Sequence, residues 1–113
     1  MTDQPIKRGD IWWVNLDPTQ GSEIKKTRPC VVLTHDTLNR LRRTVVVIPL
    51  STAAAKPHPP ITVPATCQRA TAVAVVDQIR AVARHRLKSK VETLSLEELD
   101  EVCQAVSSVL ELG

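Results

Sequence analysis

Thr44-Val45-Val46-Val47-Ile48-Pro49-Leu50 is the segment that most limits how this chain can fold. Apolar, mostly β-branched residues run through it without alternation, so it reads as a strand covered on both faces. The other apolar runs are equally short. Residues 11–16, 28–34, 61–64 and 72–76 read as strands, the last continuing past Asp77 through 78–82, with a further short strand at 87–91. His35 to Leu41 is a turn or a short helical piece with Asp36 as its cap. Ser95-x-x-Glu98 is a capping box, and Leu99, Val102, Cys103, Val106, Val109 and Leu110 follow it at helical spacing. Five or six short strands and one terminal helix predict a small, mostly antiparallel β barrel, because closure removes edges that a short chain protects poorly. One domain is expected over 1–113, with 1–6 a flexible N-terminus.

Composition narrows the chemistry. Cys30, Cys67 and Cys103 are widely spaced, odd in number and without a Cys-x-x-Cys pair, which reads as small reduced side chains. The three histidines are scattered too, so no metal-ligand spacing exists, and neither metal nor cofactor is expected. Met1 to Pro5 has no basic region followed by an apolar segment, and no run is long enough to span a membrane; the expected location is the cytoplasm. The net charge of +3 is mild, but its distribution is uneven. Arg40, Arg42 and Arg43 cluster, as do Arg80, Arg84, Arg86, Lys88 and Lys90, while Glu92, Glu97, Glu98, Asp100, Glu101 and Glu111 gather near the C-terminus. A basic body favours an anionic partner.

The candidate chemistry starts at Arg28-Pro29, where a polar loop meets the run Cys30-Val31-Val32-Leu33. Pro29 presets its own backbone angle and biases Arg28 toward an extended conformation. A guanidinium on a rigid base suits a phosphate. Glu23 lies just upstream in the loop 17–27, and a fixed Arg near a Glu points to phosphodiester chemistry.

Arg8-Gly9-Asp10-Ile11-Trp12, Asp17-Pro18, Gly21-Ser22-Glu23, Arg28-Pro29-Cys30-Val31-Val32-Leu33, Ile48-Pro49-Leu50-Ser51-Thr52 and Asp77-Gln78-Ile79-Arg80 occur in that order. Together they resemble the MazF/PemK toxins of bacterial type II toxin–antitoxin modules over roughly residues 7–112. The resemblance implies a mostly β fold with a C-terminal helix, a small SH3-like barrel of the CcdB/MazF/PemK type, dimeric about a two-fold axis. It implies a sequence-specific endoribonuclease (an mRNA interferase) that cuts single-stranded RNA without metal, leaving a 2′,3′-cyclic phosphate and a 5′-hydroxyl. A cognate, MazE-like antitoxin would wrap the toxin and block the RNA groove.

Arg28 matches the family's catalytic arginine, and a guanidinium can clamp a pentacoordinate phosphate with two parallel hydrogen bonds. Ser51 matches a position where the family usually carries threonine; Thr52 is its neighbour, and either hydroxyl can donate. Glu23 is a candidate to accept the 2′-hydroxyl proton, to orient Arg28 or to read a base edge. Gln78 is a candidate for a base or the sugar, and Asp17 and Gly21 belong to the specificity loop. Lys25, Lys26, Arg42, Arg43 and Arg84 are expected to hold phosphates, since aromatic residues are too few for extensive stacking and Leu16 replaces an aromatic frequent in the family. Trp12 and Trp13 alternate faces, as core or interface residues or with one stacking a base. His58 has a suitable pKa range for a base, but the family does not rely on a histidine there. Two other readings fit the same barrel: a gyrase-binding toxin like CcdB, and a barrel that binds RNA or a partner without cutting.

Overall fold

The computed structural model describes residues 4–16, 27–52 and 56–112. Its elements are β1 (Asp10–Asn15), β2 (Thr27–Val32), α1 (Asp36–Leu41), β3 (Thr44–Ser51), β4 (Thr62–Cys67), β5 (Ala70–Val75), β6 (Arg80–Ala83), β7 (Leu87–Thr93) and α2 (Leu96–Val109). The strands form one antiparallel sheet in the order β4-β5-β3-β2-β1-β7, with β6 also on β3. The sheet curls into a half-barrel, and α2 packs on one of its faces.

β3 is the hub because its side chains are needed on both faces. Val45 and Val47 join Trp12, Val14, Cys30, Val32, Val82 and Leu87 in one core cluster. Ile48 and Leu50 join Ile11, Val31, Leu99, Val102 and Ala105 in the other, beneath α2. Along one edge β3 pairs with β2; along the other it pairs first with β6 and then with β5. Burial on both faces, expected from the unbroken apolar run, follows from this central position.

Several local expectations change. The 72–82 stretch is not one strand: a 3₁₀ turn, Val76–Gln78, separates β5 from β6. β4 extends beyond residue 64 to Cys67 and forms a hairpin with β5. Its two turn residues, Gln68 and Arg69, have φ of 55° and 62°. Tight hairpin turns favour this handedness, but with Asn and Gly rather than Gln and Arg, so no turn signal marked it. Glu92 accepts from the Gln68 amide and stabilises the turn.

α1 is capped by His35, whose Nδ1 accepts from the Thr37 amide at 3.0 Å. Asp36 instead accepts from the Arg8 amide at 2.7 Å. At α2, Ser95 Oγ accepts from the Glu98 amide at 3.2 Å, half of the expected capping box. The Glu98 carboxylate accepts from Thr66 N and Thr66 Oγ1 at 2.9 and 3.0 Å, tying the helix to β4. Ala105 faces the core, whereas Leu110 is 49% exposed.

Gly9 joins both layers. Its amide donates to Val32 O at 2.7 Å, its carbonyl accepts from Leu94 N, and its φ is 91°. The backbone angle requires glycine, and a Cβ there would crowd Leu99 Cδ2 at 3.1 Å. Ile6, within the stretch expected to be frayed, packs into the Trp12 cluster. No helix among the described residues is long and apolar enough to cross a membrane.

Candidate nucleic-acid site

The β2–β3 ladder stops abruptly. Val32, Val31 and Cys30 pair with Val47, Ile48 and Pro49. Leu33 N donates to Val46 O at 2.9 Å, which sets the phase: every second residue of β2 turns its N–H toward β3. Val31 is next in that series, then Pro29, which has no N–H to offer Leu50. Pairing ends one step short of this position. β2 stays on β1 instead, through Trp13↔Pro29, Val14↔Arg28 and Asn15↔Thr27.

Carried two residues past Cys30↔Pro49, the same register sets Arg28 opposite Ser51. Strand alternation directs both side chains to the Trp12–Val14–Cys30 face, where the two strands are no longer bonded. Arg28 is half-buried, and its guanidinium has no hydrogen-bond or ion-pair partner among the described residues. Ser51 is half-buried at the end of β3, held on its far side by Val73 of β5, and its hydroxyl is likewise unengaged among those residues. Thr52 follows the strand and is exposed. Pro49 fits here without cost, because its missing N–H faces the 3₁₀ turn between β5 and β6 rather than a paired strand.

Cys30 marks the floor of this region. Its side chain is fully buried, and its thiol donates weakly to the Arg28 carbonyl at 3.6 Å. Burial pushes the thiol up to about 12, while the Arg80 and then the Arg28 guanidinium pull it down. A buried thiol of this kind is inert rather than nucleophilic. Arg80 is thus a second cation near the floor, although the residue itself is exposed. Arg80 pairs with Val47 in the β3–β6 ladder and shares the Cys30 face. Sequence reasoning placed it only in a basic cluster and in the Asp77-Gln78-Ile79-Arg80 motif. The usable signal was alternation: Arg80 falls on the same face as Val82, at the exposed end of β6.

The remaining candidates fall in different places. Asp17, Gly21, Glu23, Lys25 and Lys26 lie outside the described residues. Gln78 is exposed in the 3₁₀ turn two residues before Arg80. Arg43 and Arg84 sit together, with Arg84 N donating to Arg43 O at 2.8 Å, and Arg42 is beside them at the end of α1. They flank the Thr44 end of β3, seven residues from Ser51 and so ~23 Å along the strand. The structure therefore does not bring these three arginines to the Arg28–Ser51 pair. Trp12 is fully buried, Trp13 is half-buried on the opposite face, and Leu16 packs against the Trp12 cluster.

The fold is a curled β half-barrel backed by one helix, with a guanidinium and a hydroxyl, both without a partner among the described residues, on one face where two strands part. Residues 7–110 match the family described as PemK-like, MazF-like toxin of type II toxin–antitoxin system, and the chain belongs to that family. It is 35% identical over 115 residues to endoribonuclease MazF9 of Mycobacterium tuberculosis, covering 95% of this chain and 98% of that one. It is 32% identical over 111 residues to endoribonuclease EndoA of Bacillus subtilis, covering 95% and 96%. Among solved structures it resembles a chain of MazE–MazF (Form-II) from Deinococcus radiodurans, with a TM-score of 0.82, 26% identity and coverage of 98% and 100%.

Proposed function

We propose that this chain is the toxin of a type II toxin–antitoxin module and a sequence-specific endoribonuclease acting on single-stranded mRNA. The observation that carries the reading is Arg28 and Ser51 on one face at the point where Pro29 ends the β2–β3 ladder, both side chains without a partner among the described residues. The relatives named endoribonuclease support it.

In the proposed reaction the 2′-oxygen attacks phosphorus, the P–O5′ bond breaks, and a 2′,3′-cyclic phosphate and a 5′-hydroxyl result. The 2′-hydroxyl proton goes to a base, for which Glu23 is the candidate, and the departing 5′-oxygen takes up a proton from water, with Arg28 as a secondary donor. Arg28 holds the charge that builds on the phosphoryl oxygens. Arginine stays protonated at working pH, which suits it to this role and makes it a poor base. Ser51 donates a further hydrogen bond to the same oxygens. Thr52 is the second hydroxyl, one residue beyond the strand. No metal or cofactor enters this scheme.

The proposed partners are single-stranded RNA, a second copy of the chain in a homodimer, and a cognate MazE-like antitoxin; the proposed location is the cytoplasm. The MazE–MazF structure at 26% identity supports the antitoxin assignment. The test is incubation of the pure protein with a long RNA in EDTA. Discrete fragments sharing a sequence at their ends are expected, and addition of the antitoxin should stop their formation. Intact RNA would reject the reading.

A further inference from the structure

Arg28 and Arg80 are two cations on one face of the sheet, separated by a buried thiol that both influence. β3 lies between their strands. Arg80 is therefore about two strand spacings from Arg28, ~10 Å, and four positions along the sheet, ~13 Å. Two arginine side chains on that face are long enough to reach across part of the gap. Neither guanidinium has a hydrogen-bond or ion-pair partner among the described residues. Two other arginines are engaged, Arg8 with Leu33 O and Cys103 Sγ and Arg86 with Asn15 O; what sets Arg28 and Arg80 apart is the face they share. Two like charges left facing one floor repel unless an anion lies between them. One phosphate at Arg28 would satisfy only one end of this arrangement.

We propose that Arg80 binds the phosphate next to the scissile one, so that β2 and β6 hold two consecutive linkages of the RNA across β3. The assignment rests on the ribonuclease reading above. It gives β6 a purpose in substrate alignment: the 3₁₀ turn Val76–Gln78 interrupts the strand and sets Arg80 at the start of the new ladder. A second anchored phosphate fixes the path of the RNA through the break, and the cation contributes to binding rather than to charge stabilisation at phosphorus.

The test compares wild type, Arg80→Gln, Arg80→Lys and Arg28→Gln, with thermal melts confirming that each is folded. Binding is read with a single-stranded RNA carrying 2′-O-methyl groups throughout, which cannot be cut, over a range of salt. Arg80→Gln should bind about tenfold more weakly. Its log–log salt slope should fall by about 0.7, one single-strand phosphate contact. Arg80→Lys should keep the slope. With cleavable RNA, Arg80→Gln should raise KM while kcat stays within about threefold, whereas Arg28→Gln should lose kcat. Unchanged affinity and slope in Arg80→Gln would overturn the proposal. So would a kcat loss as large as that of Arg28→Gln, which would put Arg80 on the scissile phosphate itself. Wild type that binds but does not cut defeats the ribonuclease reading, while the binding arm still decides whether Arg80 takes a phosphate.

Discussion

Extended two residues past its last paired positions, Cys30 and Pro49, the β2–β3 register sets Arg28 opposite Ser51. A cation and a hydroxyl thus share one face of two strands that are held by β1 and β5 but not by each other. The arrangement needs rigid walls and an open seam, and Pro29 contributes to both.

The two neighbouring hydroxyls should separate in a mutational test. Ser51 shares the Arg28 face, and Thr52 lies one residue on, outside the strand. Ser51→Ala should lower kcat about tenfold or more, the loss of one donor to a charged oxygen, and Thr52→Ala should cost less. Single-turnover cleavage rates decide between them; a larger loss at Thr52 would move the donor off β3.

Pro29→Val restores the N–H that the ladder lacks at Leu50. The strands should then zip further. Hydrogen exchange should show a slowly exchanging amide at position 29, and cleavage should fall at least tenfold while the melting temperature holds or rises. Full activity with that amide protected would show that the seam is not needed.

The raised Cys30 pKa makes stability depend on alkaline pH. The folded thiol binds its proton more tightly than an unfolded thiol with its ordinary value of 9.0. Below pH 9 both states are protonated and the group adds no slope. Between about 9 and about 12 the unfolded state releases its proton first, so stability falls as pH rises, by up to ~1.4 kcal/mol per unit. Cys67, raised by burial and then by Glu92, acts in the same direction. The chain has no tyrosine to titrate in this window. Urea unfolding at pH 8 to 11 should show the decline, and Cys30→Val should make it shallower, leaving the part due to Cys67.

Much of this architecture was legible in the chain. The unbroken β3 run announced a strand covered twice, and Ser95 with its helical spacing announced α2. The Gln68-Arg69 turn was illegible because its residues lack the chemistry such turns favour; the fold imposes the angles. The His35 cap was missed because Asp36, a stronger capping type, is drawn away by the distant Arg8 amide. Arg28 and Ser51 were legible individually. Their opposition was not, because it depends on which strands pair and in what register. Arg42, Arg43 and Arg84 looked like part of one basic surface, but β3 sets them far from Ser51.

The strained turn carries its own test. Replacing Gln68-Arg69 by Asn-Gly relieves two positive-φ residues and should raise stability by ~1 kcal/mol or more in urea unfolding. The Glu92 acceptor needs only the backbone amide at position 68, so it survives the exchange. A loss of stability would mean that the side chains at 68 and 69 contribute more than the turn angles cost.

Cleavage of one long RNA by wild type and by Arg28→Ala, in chelator, with the chemistry of the new ends determined, bears most directly on the site. Wild type should give 2′,3′-cyclic phosphate and 5′-hydroxyl ends at a recurring sequence. The folded Arg28→Ala protein should be slower by 10²-fold or more, the scale of losing a charge-stabilising donor. Equal rates and identical ends from the two proteins would contradict the assignment of Arg28.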